Sequence, residues 1–599
     1  MEKKLLLLII CMSTLFSDLI HPPDQASLNY IHVKFRWGTE MGINEFQFQL
    51  TNANDALLID SLVTDTFLII KDGIEWFSTY HWKVYPINGG WSSSYSFSTQ
   101  GNSASMFTDV DAVYIDPSIY NPELSLDGIT IYGIMDPYYS AAIDIEGKEI
   151  WNSNQYMFIN VKDNKEFFAN STFGNETQKE FGVQFTFEND IIWHEPRIDE
   201  NLNFLQHELI KLPNGNYMGL VPIFFDHYVP HSSNYPELAE FDPPYHFYFE
   251  DYFGGSAQFP CEWKTEKIVE WDSLGNEIWS WLPNNPDYGF NLNDFDEFNY
   301  WSEPQKNICI IDPFEWTHFN ALAYDNTDSS VYVSSKNLSR ITKINYNTKE
   351  IIWNLGANLR WWEDLDLNHI IFGNSGQHGL QILPDGNIVT FDNGIHSETD
   401  LSTALEIKIS NVGEIYNVDT AWSYILPEAL YGTLSGNVQK LPNDNYLITT
   451  IGRSDGAYTI EVTPDKQIVW SCDYNVGLPM GKIYRAMRIP GLYENEFINS
   501  DSNMNISNNV NPNNFSIKSI YPNPFNPSVN IEFEQSELSV ISANIYNLNG
   551  QLIEHLFSGF NNIGSHNIIW NASNYPSGIY FIQLTNQSWS LSQKLMLIK

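Results

Sequence analysis

Cysteine is almost missing from this sequence, which carries four in 599 residues, at Cys11, Cys261, Cys309 and Cys472. Cys11 falls within an N-terminal leader, the other three cannot all pair, and none stands at metal-ligand spacing, so no disulfide framework or cysteine metal site is written into the chain. Positive charge is scarce as well: 30 Lys and Arg face 73 Asp and Glu, for a formal net charge of -43. A field of that sign repels polyanions, which excludes nucleic-acid binding through a basic patch and obliges any anionic ligand to find a local cationic site. Long apolar runs are absent but for one. Leu5 to Phe16, behind Lys3 and Lys4, is too short to span a bilayer and has the length and polarity of a secretory signal, expected over residues 1–18. Ile10 before Cys11 is bulkier than the small residue a lipoprotein cleavage site wants. No second stretch is long enough for a transmembrane helix.

What the chain has in abundance is aromatic: 19 Trp, 33 Tyr and 37 Phe, with charged residues at only 17%. Such side chains pack well on pleated surfaces, so strands are expected almost throughout, and the length calls for several domains. Residues 22–100 alternate apolar and polar positions with period two, as in Ile31, Val33 and Phe35 against Tyr30, His32 and Lys34. The stretch from Tyr80 to Trp91, followed by Tyr95 to Thr99, looks like the last strands of a fibronectin type III domain, whose expected job is spacing or adhesion.

Residues 105–485 repeat a degenerate module in which a turn and an alternating strand close on Trp or Tyr. The closing residues are Trp151, Trp193, Trp279, Trp353, Tyr416 and Trp470. A second motif alternates with it: Leu212-Pro-Asn-Gly-Asn216, Leu383-Pro-Asp-Gly-Asn387 and Leu441-Pro-Asn-Asp-Asn445 each place a tight turn between apolar strands. Six copies at this period predict a six-bladed β-propeller. The widest gap, between Trp193 and Trp279, holds a Pro- and aromatic-rich insertion from Phe224 to Phe253, read as a channel-covering loop with His227, His231 and His246. Residues 486–514 read as a connecting segment and a flexible linker, Asn- and Ser-rich from Asn499. Residues 515–599, with Tyr521-Pro-Asn-Pro-Phe-Asn-Pro527, Gly578-Ile-Tyr-Phe-Ile582 and Lys594-Leu-Met-Leu-Ile-Lys599, resemble the C-terminal sorting domain of proteins exported by the type IX secretion system, a small immunoglobulin-like sandwich. The implied partner is that export machinery, and the implied destination is the cell exterior, secreted or attached to the outer surface.

Histidine occurs only 14 times, yet His207, His318 and His378 take equivalent places, just ahead of or within the strand leading into a propeller hairpin. Innermost strands line a propeller's channel, so three imidazoles should face one cavity. A lone strand histidine is most often a satisfied structural residue, a reading that three equivalent positions weaken. Trp316-Thr-His-Phe-Asn320, Val331-Tyr-Val-Ser-Ser-Lys-Asn337, Ile344 to Gly356, Gln377-His378 and Phe391-Asp-Asn-Gly394 together make residues 125 to 475 similar to the bacterial arylsulfate sulfotransferases, a six-bladed propeller family that uses no nucleotide donor. The resemblance implies an aryl sulfate donor, a phenolic acceptor, no cofactor and no metal. It implies that His378 is the nucleophile that becomes transiently sulfated, with His318 and His207 as further channel histidines. Lys336 stands where the family has Arg, and a compact point charge replaces a planar fork.

The chemistry fits these residue types. Sulfuryl transfer, like phosphoryl transfer, is mostly positioning and electrostatic stabilisation, and a phenol with a pKa of about 10 needs a base, which either His318 or His207 supplies. Two other readings of the cluster stand beside this one. One is a three-histidine zinc site with Glu208 or Asp392 behind it, and the other a non-catalytic propeller that binds a glycan or surface partner. His369 and His396 read as loop residues, Trp361 and Trp362 as packing, and Asp392-Asn-Gly394 as a turn.

Overall fold

The computed structural model describes residues 19–38, 45–87, 91–102, 113–134, 138–162, 166–173, 176–196, 207–230, 258–290, 313–356, 369–395, 401–412, 415–432, 434–451, 456–474, 483–493, 515–535, 539–547, 552–561, 564–585 and 590–599. The expected signal peptide, Trp361, Trp362, His231, His246 and His396 lie outside the described residues. Strands make up nearly all of the described secondary structure, as the aromatic composition predicts, and among the described residues no helix is long and apolar enough to cross a membrane.

Residues 1–500 form one compact unit and residues 501–599 another. The first unit is a β-propeller with a sandwich fused to it. Its sandwich has eight strands in two sheets, three in one and five in the other, closed over Phe35, Trp37, Phe48, Trp82 and Phe97. Between residues 113 and 489 six sheets of four or five strands follow one another, and the innermost strand of each lies against that of the next, the last against the first. Ring closure uses both ends of the propeller. Ile483–Ile489 is the innermost strand of the first sheet, and Val113–Ile115 adds to the outer edge of the last. The propeller therefore runs past the expected boundary at 485, because the closing strand continues to Ile489 and Leu492 and Tyr493 pack behind it.

One inter-sheet clamp recurs and explains both sequence motifs. In the third sheet Glu270 accepts from Asn216, the last residue of the hairpin motif, at 2.7 Å, and from the Tyr346 hydroxyl of the next sheet at 2.6 Å. Trp279 lies nearly parallel to the Tyr346 ring. Glu406 repeats the pattern with Asn387 and Tyr446, and Trp422 lies over Tyr446 at 3.5 Å between ring centroids. Trp422 is thus the closing aromatic of the fifth sheet, not Tyr416 as the repeat suggested. Between the second and third sheets Gln184 takes the place of the glutamate and holds Tyr217, which stacks on Trp193. Where the ring closes, Arg488 replaces the tyrosine: it pairs with Glu461, which also holds Asn445, and lies 4.2 Å from the Trp470 ring.

The N-terminal sandwich is not a detached spacer. Asn29, Tyr30 and Ile31 add to the outer strand of the first sheet, with Ile31 donating to the Ile150 carbonyl at 2.9 Å and Asn152 to that of Asn29 at 3.0 Å. One apolar cluster runs without a break from Phe35 and Trp82 to Trp151, Phe167 and Phe185. Such an addition covers an edge that would otherwise offer free backbone groups.

The second unit is a sandwich of a three-stranded and a four-stranded sheet sharing Val529, Phe533, Ile545, Trp570, Ile582 and Leu595.

Arg488 and Glu461 are both fully buried. Removing one partner leaves an uncompensated charge in the core, so Arg488→Ala should cost about 3–5 kcal/mol. Chemical denaturation of the single variants and of Arg488→Ala with Glu461→Ala should show the double loss to be well below the sum of the single losses.

Candidate active site

The three sequence-predicted histidines sit where innermost strands begin. His207 precedes Leu209–Lys211, His318 immediately precedes Phe319–Asp325, and His378 opens His378–Ile382. His207 and His318 adopt φ of 65° and 48°, the left-handed region that is costly for a residue with a Cβ. Buried carboxylates hold these turns. Glu266 accepts from the Thr317 hydroxyl and the Phe319 amide, both at 2.8 Å, and so grips His318 from either side. Glu208, next to His207, pairs with Arg485 at 2.8 Å and accepts from Asn160 at 3.3 Å. Beside His378, Gly376 has φ of 62° and the place of a Cβ lies 2.5 Å from Ile395, so only glycine fits.

The Ser334-Ser-Lys336 turn is stapled to both neighbours. Lys336 donates its amide to the His318 carbonyl at 3.1 Å, and Asn337 donates its side-chain amide to the Glu315 carbonyl at 2.7 Å. Gln377 spends its amide on Ser334, Ser335 and Arg340, each at 3.0 Å. Neighbouring in sequence, Gln377 and His378 therefore do different things: one locks the lysine turn, the other faces it.

Each imidazole has a distinct partner on Nδ1. His378 Nδ1 lies 2.7 Å from Asn393 Oδ1 and 3.0 Å from the Gly376 carbonyl. Asn393 is oriented by its own amide, which donates to the carbonyls of Gly432 and Ser435. Both neighbours of His378 Nδ1 are acceptors, so the proton resides there and Nε2 keeps its lone pair. His318 Nδ1 meets Glu315 Oε2 at 2.8 Å, and Lys264 binds the other oxygen of that carboxylate at 2.8 Å. His207 Nδ1 lies 3.0 Å from the Tyr484 hydroxyl, and its ring centroid is 5.1 Å from that of His318.

Electrostatics tie these groups together. Burial pushes the pKa of His378 down to about 3, and Lys336 and His318 push the same way, while the bond to Asn393 resists. His207 is held well below the usual range by burial, then by His318 and His378. Burial alone would raise Glu315, yet His318 and Lys264 hold its carboxyl far below the usual range. Glu266 and Glu208 are raised, in each case first by burial. In a chain with a net charge of -43, the structure thus gathers His207, His318, His378 and Lys336 in one electrostatic neighbourhood.

Several partners were not legible beforehand. Glu315, Glu266, Lys264, Tyr484 and Arg485 show no motif, and the last two belong to the strand that closes the ring. Asn393 lay within the segment read as a turn, and the signal was its position after Phe391-Asp392 at the end of a strand. Asp392 accepts from the amides of Ser375 and Gly394, and Glu208 serves Arg485, so neither backs a histidine as the zinc reading required. Among the described residues no group of three His, Cys, Asp or Glu has metal-holding geometry. His227 and residues 224–230 belong to the strand Tyr217–Pro230 and not to a loop, and His369 opens a short strand.

Residues 263–485 match the arylsulfotransferase (ASST) family, and residues 519–599 match the secretion system C-terminal sorting domain. The first match contains His318, Lys336, His378 and Arg485, while His207 lies ahead of it. The sorting domain marks the protein for secretion and attachment to the cell surface. No curated protein matches the chain. Among solved structures, an auxiliary nutrient binding protein from Bacteroides thetaiotaomicron is 8% identical, with 76% of this chain and 85% of that one covered at a TM-score of 0.27. A dihydro-heme d1 dehydrogenase is 9% identical, with 77% and 78% covered at a TM-score of 0.29. Neither likeness bears on function.

Acid should weaken the first unit. His378 and His32 have pKa values of about 3 in the fold, and His21, at about 4, is lowered too, all first by burial. The unfolded chain, with histidines near 6.5, binds more protons as pH falls from 6.5 towards 3, so stability declines across that window. His32 and His378 should each remove up to about 1.4 kcal/mol per pH unit, while Asp144, raised to about 6 by burial, opposes them. Calorimetry from pH 7 to 4 should show a falling Tm, and His378→Gln should flatten the slope.

Proposed function

We propose that this protein is an exported enzyme that moves a sulfuryl group from an aryl sulfate to a phenol through a sulfohistidine at His378. The observation that carries this reading is the His378 hydrogen-bond pattern: Nδ1 donates to Asn393 and Gly376, which leaves the Nε2 lone pair to attack. The match of residues 263–485 to the arylsulfotransferase family supports it.

In the first half-reaction the His378 Nε2–S bond forms as the bond from sulfur to the aryl oxygen breaks, and the aryl oxygen departs with the electron pair. Positive charge develops on the imidazole, where the two acceptors on Nδ1 stabilise it. The low pKa keeps the ring neutral at ordinary pH, so the nucleophile is present without prior deprotonation. Lys336 supplies positive charge for the sulfuryl oxygens, which carry the charge of a loose in-line transition state. In the second half-reaction the acceptor oxygen attacks sulfur and His378 is restored. A lysine can neutralise these oxygens but offers no planar fork, so donor range should differ from that of an arginine site.

Rapid mixing of the full chain with a chromogenic aryl sulfate should give a burst of one phenol per site and a sulfated peptide containing His378 by mass spectrometry. His378→Ala should give neither, and retention of the burst in that variant overturns the nucleophile. A wild-type protein that binds aryl sulfates without releasing phenol would favour the non-catalytic propeller. Lys336→Met should lower the rate of the burst about 10²-fold, and Lys336→Arg should retain most of it.

A further inference from the structure

The sequence leaves open which of His207 and His318 activates the acceptor, and the partners of their Nδ1 atoms distinguish them. We propose that Glu315 is a positioning residue that makes His318, and not His207, the acceptor's base. This rests on the sulfohistidine reading above.

The argument runs through tautomers. His318 Nδ1 faces a carboxylate oxygen at 2.8 Å, an acceptor that carries no proton, so Nδ1 bears the hydrogen and Nε2 the lone pair. An ionised partner also stabilises the imidazolium that forms when Nε2 takes a proton. Glu315 is kept ionised by Lys264 on its other oxygen. His207 is in the opposite situation. Its Nδ1 meets the Tyr484 hydroxyl at 3.0 Å, a neutral partner that brings no negative charge to stabilise an imidazolium.

The transfer step balances with these assignments. As the bond between the acceptor oxygen and sulfur forms, the Nε2–S bond of sulfated His378 breaks and its electron pair returns to Nε2. The phenol proton passes to His318 Nε2, the imidazolium rests against Glu315, and the proton is then given to water or to the next leaving aryl oxygen. The groups facing His318 are Glu315 beside it, Lys264 and Glu266 from the neighbouring strand, His207, His378 and Lys336.

The test follows the two half-reactions separately. With an activated aryl sulfate, whose leaving group needs no acid, E315Q should keep the burst rate within about twofold. Discharge of sulfated His378 to a phenol of pKa about 10 should slow about 10²-fold. Loss of the carboxylate lowers the affinity of His318 for a proton, so the acid limb of the discharge step should move to lower pH by about one unit or more. E315D, which keeps the carboxylate, should retain the wild-type midpoint. Lys264→Met, which removes a repelling cation and leaves Glu315 to His318 alone, should raise it and serves if E315Q does not fold. Equal slowing of both half-reactions in E315Q and E315D, or midpoints unmoved in E315Q and Lys264→Met, overturns the assignment. Absence of any burst in the wild type overturns instead the sulfohistidine reading on which it rests.

Discussion

The ring depends on one buried ion pair, Arg488 with Glu461, because it fixes the strand that closes it. Arg488 is fully enclosed, lies over Trp470, donates to Thr130 at 3.0 Å and reaches the Leu126 carbonyl at 3.1 Å. A guanidinium desolvated to this degree is stable only with its partner in place, so the pair specifies register more than it adds stability. Register matters here, since a slip of one residue would turn every side chain of Ile483–Ile489 to the opposite face. Tyr484 would leave His207 and Arg485 would leave Glu208. Closure of the fold and assembly of the site are therefore one event.

The same clamp at the other sheet boundaries explains why tyrosine, glutamate and hairpin asparagine recur together. A ring of sheets with only apolar contacts would tolerate sliding of one sheet on the next. Directional bonds such as those from Tyr346 to Glu270 and from Tyr446 to Glu406, each at 2.6 Å, hold adjacent sheets at one height. Indole donors add to this: Trp279, Trp422 and Trp470 each donate to a carbonyl in the outer turn of the next sheet. Strand starts are thereby brought level at the channel, and His207, His318 and His378 meet there without belonging to adjacent sequence.

In the site, Nδ1 partners divide three similar side chains into different chemistries. An amide oxygen and a carbonyl stand behind His378, a carboxylate behind His318, and a hydroxyl behind His207. Strain supports this division, because Glu266 clamps His318 in a conformation that would relax without it.

By itself the sequence determined the strand content, the repeat, the two flanking sandwiches, the export tail and the histidine positions, because periodicity and turn chemistry are local and survive translation into structure. His378, His318, His207 and Lys336 were legible for that reason, each lying at the start of a strand or in a turn that the repeat defines. Partners that give those residues their protonation states were not. Glu315 lies only three residues from His318, yet nothing in its spacing distinguishes a carboxylate that orients an imidazole from a solvated one. Tyr484 and Arg485 come from 277 residues beyond His207 and Glu208. Such pairings exist only once the ring has closed, and tertiary structure alone decided them, since burial and the distance between remote strands set which proton each imidazole keeps.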